Sequence, residues 1–312
     1  MSIPGSASPL FFQTATGAAA AAGPIKSVRF NRSDSASLSR TFSAGNRKTF
    51  TLSWWMKHCS YTSNARIFAK GLSAQQFSIM HSGVSDDRRR FYCYFNLDSP
   101  TDISTLTFTG EHRDFSSWAH YVVAFDTTQA TDSDRIKFYY NGVQQTDFIG
   151  TPNWPTQNAS FKWNNASDTY YIGGISTYRI DAYLADMYHV DGQQLDCTSF
   201  GAFDNNGVWQ AAEYSGTYGT NGFHLFDFAN ESGVGNDSSG NDNDWTVNNI
   251  TETQPIVYAT NVAAASSGEV PSVGGGPFWI DIDPADNDLD YVSNTDNMTK
   301  AHDGSTSTFV YW

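Results

Sequence analysis

The sequence predicts an all-β chain, a sandwich or a barrel, and three observations carry that prediction. From Lys26 onward, short runs of β-branched and aromatic residues are cut by Gly, Asn, Asp and Ser at intervals of roughly 8 to 15 residues, the spacing of a sandwich or barrel. Aromatic residues make up 15% and charged residues 16% of the chain, with 25 glycines, a loop-rich β composition unlike that of a helical bundle. Helical periodicity is confined to a minority of positions, with a short helical turn expected within 196–212. The 312 residues hold one large β domain with an appendage, or two ordinary domains.

The strands follow from alternation. Phe50, Leu52, Trp54 and Met56 fall on one face and Thr51, Ser53 and Lys57 on the other, so residues 50–57 read as a strand with one wet side, broken only by Trp55. Further strands are expected at 65–69, 76–80, 90–96 and 104–109. The run WAHYVVAF, Trp118 to Phe125, is apolar on both faces and reads as a central strand covered by a second sheet. Residues 135–140 and 143–145 flank Asn141-Gly142, which supplies the two positive φ angles of a type I′ hairpin turn. Strands at 169–172 and 180–190 come next, with Asp191-Gly192 as the following turn, and β runs return at 223–228, 245–248 and 255–259.

The ends differ from the middle. Residues 1–25 combine Gly, Ala, Ser and Pro around Leu10, Phe11 and Phe12. They read either as a disordered terminus or as an extended arm that orders when those three apolar residues dock on a neighbouring copy. The sandwich occupies 26–259; Gly, Ser, Ala and Pro make 260–276 a linker; and 277–312 form a small C-terminal β segment, ending on Phe309-Val-Tyr-Trp312, that either pairs with the main sheet or opens a further domain.

Charge excludes some partners. Acidic residues number 32 against 18 basic ones, a net charge of −14, which disfavours nucleic acid. Half of the acidic residues but a single basic one, Lys300, fall after residue 200, so the last third is either solvated loop or a surface that collects cations. Cys59, Cys93 and Cys197 match neither a zinc site nor a CxxC motif and read as free thiols. With the first basic residue at Lys26 and no apolar stretch near 18 residues long, neither a secretory signal nor membrane insertion is expected.

Four motifs in order, Trp118–Asp126, Phe138–Val143, Tyr171–Gly174 and Ile180–Tyr188, resemble the laminin-G-like and pentraxin-like branch of the concanavalin A-like lectin/glucanase superfamily. That resemblance covers about residues 26–250 and implies a two-sheet antiparallel jelly-roll sandwich. Residues 39–57, together with Gly207–Gln210, Gly216–Phe223 and Asp237–Asn248, are similar to a group of virion structural proteins of tailed bacteriophages. This second likeness implies a place on a tail fibre, another appendage or the capsid surface, with assembly in the host cytoplasm and other virion proteins as partners. Ala301–Thr308 with Tyr311-Trp312 resembles the opening of a discoidin-like galactose-binding domain.

Glucanases of this superfamily carry Glu-x-Asp-x-x-Glu on one strand, because an acid and a nucleophile must flank the glycosidic bond. The five glutamates, Glu111, Glu213, Glu231, Glu252 and Glu269, are scattered singly and none begins that pattern, so no catalytic residues and no enzyme are expected. Calcium is the candidate ion: Asp237, Asn241, Asp242 and Asp244 concentrate hard oxygens in a glycine-containing loop, although such residues also simply turn chains. The acidic run 281–290 is a weaker second candidate, while His120 and His189 sit in strand patterns and read as packed side chains. For a glycan, Trp209, Tyr214 and Tyr218 stand among Asn and Gly residues as stacking platforms, or else bury against the sandwich. The expected function is a non-enzymatic virion protein displaying a lectin-like sandwich to host-surface glycans, self-associating through its arm; a free lectin and a degenerate glycoside hydrolase stay open.

Overall fold

Residues 90–96 show how the strands arise: Phe91, Cys93 and Phe95 are buried while Arg90, Tyr92, Tyr94 and Asn96 are half-exposed, the two-residue period of a strand laid on a core. The computed structural model describes residues 27–60, 65–70, 77–82, 90–98, 103–111, 114, 117–226 and 233–250, and the backbone of 279–282 and 289–292. The chain falls into two units, Met1–Thr260 and Asn261–Trp312. In chain order the first unit holds β1 (Val28–Phe30), β2 (Ser37–Thr41), β3 (Thr49–His58), β4 (Ala65–Lys70), β5 (Phe77–Ser82), β6 (Arg90–Asn96), β7 (Ile103–Glu111), β8 (Ala119–Asp126) and β9 (Ile136–Tyr140). It continues with β10 (Val143–Gln145), β11 (Thr169–Ile172), β12 (Gly174–Ile175), β13 (Tyr178–Arg179), β14 (Ala182–Asp191), β15 (Gly201–Phe203), β16 (Trp209–Ala211), β17 (Phe223–Leu225) and β18 (Thr246–Asn248). In the second unit β19 (Trp279–Ile282) and β20 (Leu289–Val292) pair antiparallel. The described helix is two single 3-10 turns, at Asp132–Asp134 and at Cys197–Ser199 within the segment where one was expected.

Two seven-stranded antiparallel sheets form a sandwich. One runs β1-β14-β3-β8-β9-β10, with β17 beside β1 along the same edge of β14; the other runs β18-β2-β11-β4-β5-β6-β7. The core between them is aromatic. Phe91 stacks on Phe138 at 4.2 Å, Trp54 lies parallel to Tyr121 at 5.4 Å, and Phe50, Phe77, Phe95, Phe125 and Phe161 interlock at the other end. The expected arm, linker, terminal run and strand at 255–259 lie outside the described residues.

The structure corrects the reading of β3. Its supposedly wet side is buried: Thr51, Ser53 and Trp55 are all fully covered. Residues after β14 fold back over that outer face and build a second apolar layer from Trp55, Trp118, Val122, Tyr188, Phe200, Trp209 and Tyr214. Trp55, which broke the alternation, is therefore the inner member of that layer. The expected central strand β8 is covered by the opposite sheet on one side and by this layer on the other.

A buried polar knot closes one end of the sandwich. Asp191 accepts hydrogen bonds from the backbone N–H of Asn46 (2.8 Å) and Asn221 (3.1 Å) and from Asn164 Nδ2 (3.0 Å). Asn221 in turn donates to Ser43 O at 2.8 Å, and Asn164 to Asn46 O at 2.8 Å. Gly45 is needed here because a Cβ would run into Asn221 Nδ2 and the Asp191 carboxylate. Farther along β14 the register shifts between Ala185 and Tyr188, and Asp186, at φ 45°, turns into the protein to meet His224 Nε2 of β17 at 2.8 Å.

Asp191→Ala leaves two buried backbone N–H groups and the Asn164 amide without their acceptor, and is expected to cost about 3 kcal/mol. In urea unfolding, the midpoint should fall while the slope stays unchanged; a loss below about 1 kcal/mol would show that the knot is not what joins these loops.

Candidate functional site

The outer faces of the two sheets differ in chemistry. On the sheet containing β3 and β8 the cover is tight. Trp209 is 4% and Tyr214 9% exposed, and Tyr218 is half-buried. The Trp209 ring lies so close to the turn glycine Gly142, at φ 80°, that a Cβ there would overlap the indole. Phe203 packs edge-on against the same ring at 4.9 Å. Tyr214 packs against Phe200 at 5.4 Å and edge-on to Tyr218 at 5.3 Å, and its hydroxyl donates to Thr217 O. The three aromatics expected to stack on a sugar thus come together in one layer, but the rings of Trp209 and Tyr214 face inward, because they seal the sheet.

Under that layer His120 is buried in a neutral form. Trp209 Nε1 donates to its Nδ1 at 3.0 Å, which leaves Nε2 to donate to Ser53 Oγ at 2.8 Å. Burial pushes its pKa down to about 3. His189, in the core, accepts from Trp163 Nε1 at 3.2 Å and donates from Nδ1 to Asn221 O at 2.9 Å; burial pushes it down to about 4. Both histidines are packed and hydrogen-bonded, as their strand positions imply.

The candidate calcium residues form a loop held by its own hydrogen bonds. Asp237 accepts from the N–H groups of His224, Ser239 and Asn243 and from Ser239 Oγ, all between 2.8 and 2.9 Å. Asp244 accepts from the Asp237 N–H, and Asn241 donates to Gly219 O and Gly222 O. Asp242 is exposed at φ 55°. Arg40 donates to Asn243 beside these carboxylates. Among the described residues no three His, Cys, Asp or Glu side chains converge as a metal site. The Asp237 and Asp244 carboxylates thus accept from backbone N–H groups, the bonding by which such residues turn a chain.

The outer face of the other sheet offers different chemistry. Across it, register aligns Ser39, Tyr171, Ala69, Ser78, Tyr94 and Thr105, and beside them Tyr92 with Thr107. Tyr92, Tyr94 and Tyr171 are half-exposed, and the rings of Tyr92 and Tyr94 stand 6.4 Å apart. Aromatic faces beside hydroxyl groups suit a pyranose, whose C–H face stacks while its rim hydrogen-bonds. The sequence reading passed over these residues, although the run RFYCYFN already puts Tyr92 and Tyr94 opposite the core side.

A family profile described as concanavalin A-like lectin/glucanases superfamily, of the laminin G type, matches residues 30–187, half of the chain. The chain belongs to that superfamily. Its sandwich is similar to the heptameric SAP-like pentraxin of Limulus polyphemus, at 17% identity and a TM-score of 0.41, over 57% of this chain and 80% of that one. It is also similar to domains LG4-5 of the mouse laminin alpha1 chain, at 14% identity and a TM-score of 0.36, over 58% of this chain and 46% of the laminin chain. A third similar structure is the CBM40 of a Ruminococcus gnavus sialidase bound to α2,3-sialyllactose, at 8% identity and a TM-score of 0.31, over 52% and 91% of the two chains. No curated protein matches the sequence. Within the superfamily, residues 188–250 supply the end of β14 and the layer and loops that follow it, beyond the matched span.

The two depressed histidines give the stability a pH dependence of defined sign. Below about pH 6.5 the unfolded chain takes up protons that native His120 and His189 refuse, so stability is fully present above that pH and falls as pH drops toward their folded values, by about 1.4 kcal/mol per unit for each. Melting temperatures measured from pH 7 to 4.5 should decline, and His120→Gln should shallow the decline; a flat profile would mean that these histidines are protonated in the native state.

Proposed function

We propose that this chain is a non-catalytic, lectin-like display module of a bacteriophage virion, which binds host-surface glycans through the outer face carrying Tyr92, Tyr94 and Tyr171. The observation that carries the glycan reading is the contrast between the faces: one is sealed by the layer around Trp209, the other presents half-exposed Tyr92, Tyr94 and Tyr171 with half-exposed Ser39, Thr105 and Thr107, while Ala69 and Ser78 between them are buried. The absence of catalysis is supported by the engagement of described carboxylates in structural work: Glu111 is held by Arg90, Asp98 by Arg47 and Lys162, Asp168 by Lys70, and Asp181 by Arg29. The virion setting rests on the sequence likeness of residues 39–57, 207–210, 216–223 and 237–248 to phage structural proteins. Display in many copies suits such a face, since weak single contacts become useful avidity when repeated on one particle.

On a glycan array, the double variant Tyr92→Ala/Tyr94→Ala should bind its best saccharide about tenfold more weakly, with its melting temperature close to that of the parent. Unchanged binding would place the site elsewhere, and release of reducing sugar by the parent protein would contradict the non-catalytic reading. Deletion of residues 1–24, with Leu10, Phe11 and Phe12, should turn assemblies into monomers by sedimentation, and antibodies to the chain should decorate intact phage particles.

A further inference from the structure

Most arginines of the described sandwich meet protein acceptors. Arg29 pairs with Asp181, Arg47 with Asp98 and Arg90 with Glu111, while Arg135 gives its guanidinium to the carbonyls of Gln129, Ala130 and Pro155. Arg66 does not follow them. On β4 it is 3% exposed, its Nε and Nη1 are buried without a protein acceptor, and the Tyr178 ring lies 4.4 Å from its guanidinium carbon. A buried cation without a counter-charge is costly, and a cation–π contact offsets that cost only in part. Among the described residues, no carboxylate offsets the desolvation that lowers the pKa of Arg66; the partner that acts on it is Tyr178.

Two further guanidinium groups reach the β12–β13 hairpin that carries Tyr178. Arg179 buries an Nε that has no protein acceptor, and Arg32 donates its Nε to Arg179 O at 2.9 Å while burying an unpaired Nη2. Tyr178 itself is 38% exposed. Register places Arg66 and Tyr92 on either side of Met80, two strand spacings apart, so the arginine sits about 10 Å across the sheet from the tyrosine pair. A disaccharide spans that distance. A guanidinium whose Nε and Nη1 have no protein acceptor, covered by Tyr178 at the margin of a sugar-stacking face, calls for an anion on the sugar.

We propose that Arg66, beside Tyr178, is the anion-recognition point of the glycan face, and that the bound saccharide is acidic, its carboxylate or sulfate group meeting the guanidinium. This inference rests on the proposed glycan-binding function and specifies its ligand class.

Calorimetric titration of the full chain with trigalacturonate, a chondroitin sulfate disaccharide and neutral maltotriose tests it. At least one acidic probe should bind tenfold or more tightly than maltotriose, and whichever acidic probe prevails tells carboxylate from sulfate. Arg66→Met should abolish that preference and Arg66→Lys should weaken it, since lysine keeps the charge without the fork. Arg66→Met should also melt at a higher temperature than the parent, because it removes an uncompensated buried charge while keeping the stem. An acidic preference that survives in Arg66→Met, or a lower melting temperature for that variant, overturns the inference. If maltotriose binds as well as the acidic probes and Tyr92→Ala/Tyr94→Ala abolishes its binding, the glycan face stands and the acidic ligand falls; if no saccharide binds, both fall.

Discussion

A sheet whose central strands are apolar on both sides has to be buried on both sides, and that requirement organises this protein. In β3, Trp54 points into the sandwich and Trp55 away from it; in β8, Val123 and Val122 do the same. Two packed sheets satisfy one side only. The return of the chain after β14 satisfies the other.

Covering that face brings polar groups inside, and each buried one described in detail does a joining task. Thr51 Oγ1 donates to Gln193 O and accepts from the Leu195 N–H, which fastens the returning chain to β3. His120 bridges Ser53 to Trp209. Asp191 ties together the loops at Asn46, Asn164 and Asn221. In a low-dielectric interior such satisfied bonds specify one arrangement among many that would bury the same apolar area. Arg66 differs from these: its Nε and Nη1 are buried without an acceptor, as are single donors of Arg32, Arg40 and Arg179.

The sequence made the long strands legible because their alternation is local. Residues 90–96, 143–145 and 169–172 coincide with β6, β10 and β11, and Asn141-Gly142 marks its hairpin. The short strands were not legible: Val28–Phe30 is only three residues long and Ser37–Thr41 carries few β-formers, and both are strands because β14 and β11 offer them pairing edges. The wet side assigned to β3 failed for the same reason, since Thr51 and Ser53 look like surface residues until a distant segment covers them. The burial of Trp209 and Tyr214 was likewise not legible in the loops after residue 207, whereas the half-exposure of Tyr92 and Tyr94 follows from their plain alternation. Burial is set by the whole chain, and no window of ten residues reports it.

The bulge in β14 bears on how this sandwich can be moved between proteins. Asp186 turns inward there and finds His224, a partner that lies well downstream of residue 187, where the likeness to the superfamily ends. A transplant cut at that boundary would carry an acid into its interior and leave the matching base behind. The heritable module is therefore longer than its recognisable signature, and grafting or shuffling it has to take the trailing strand along.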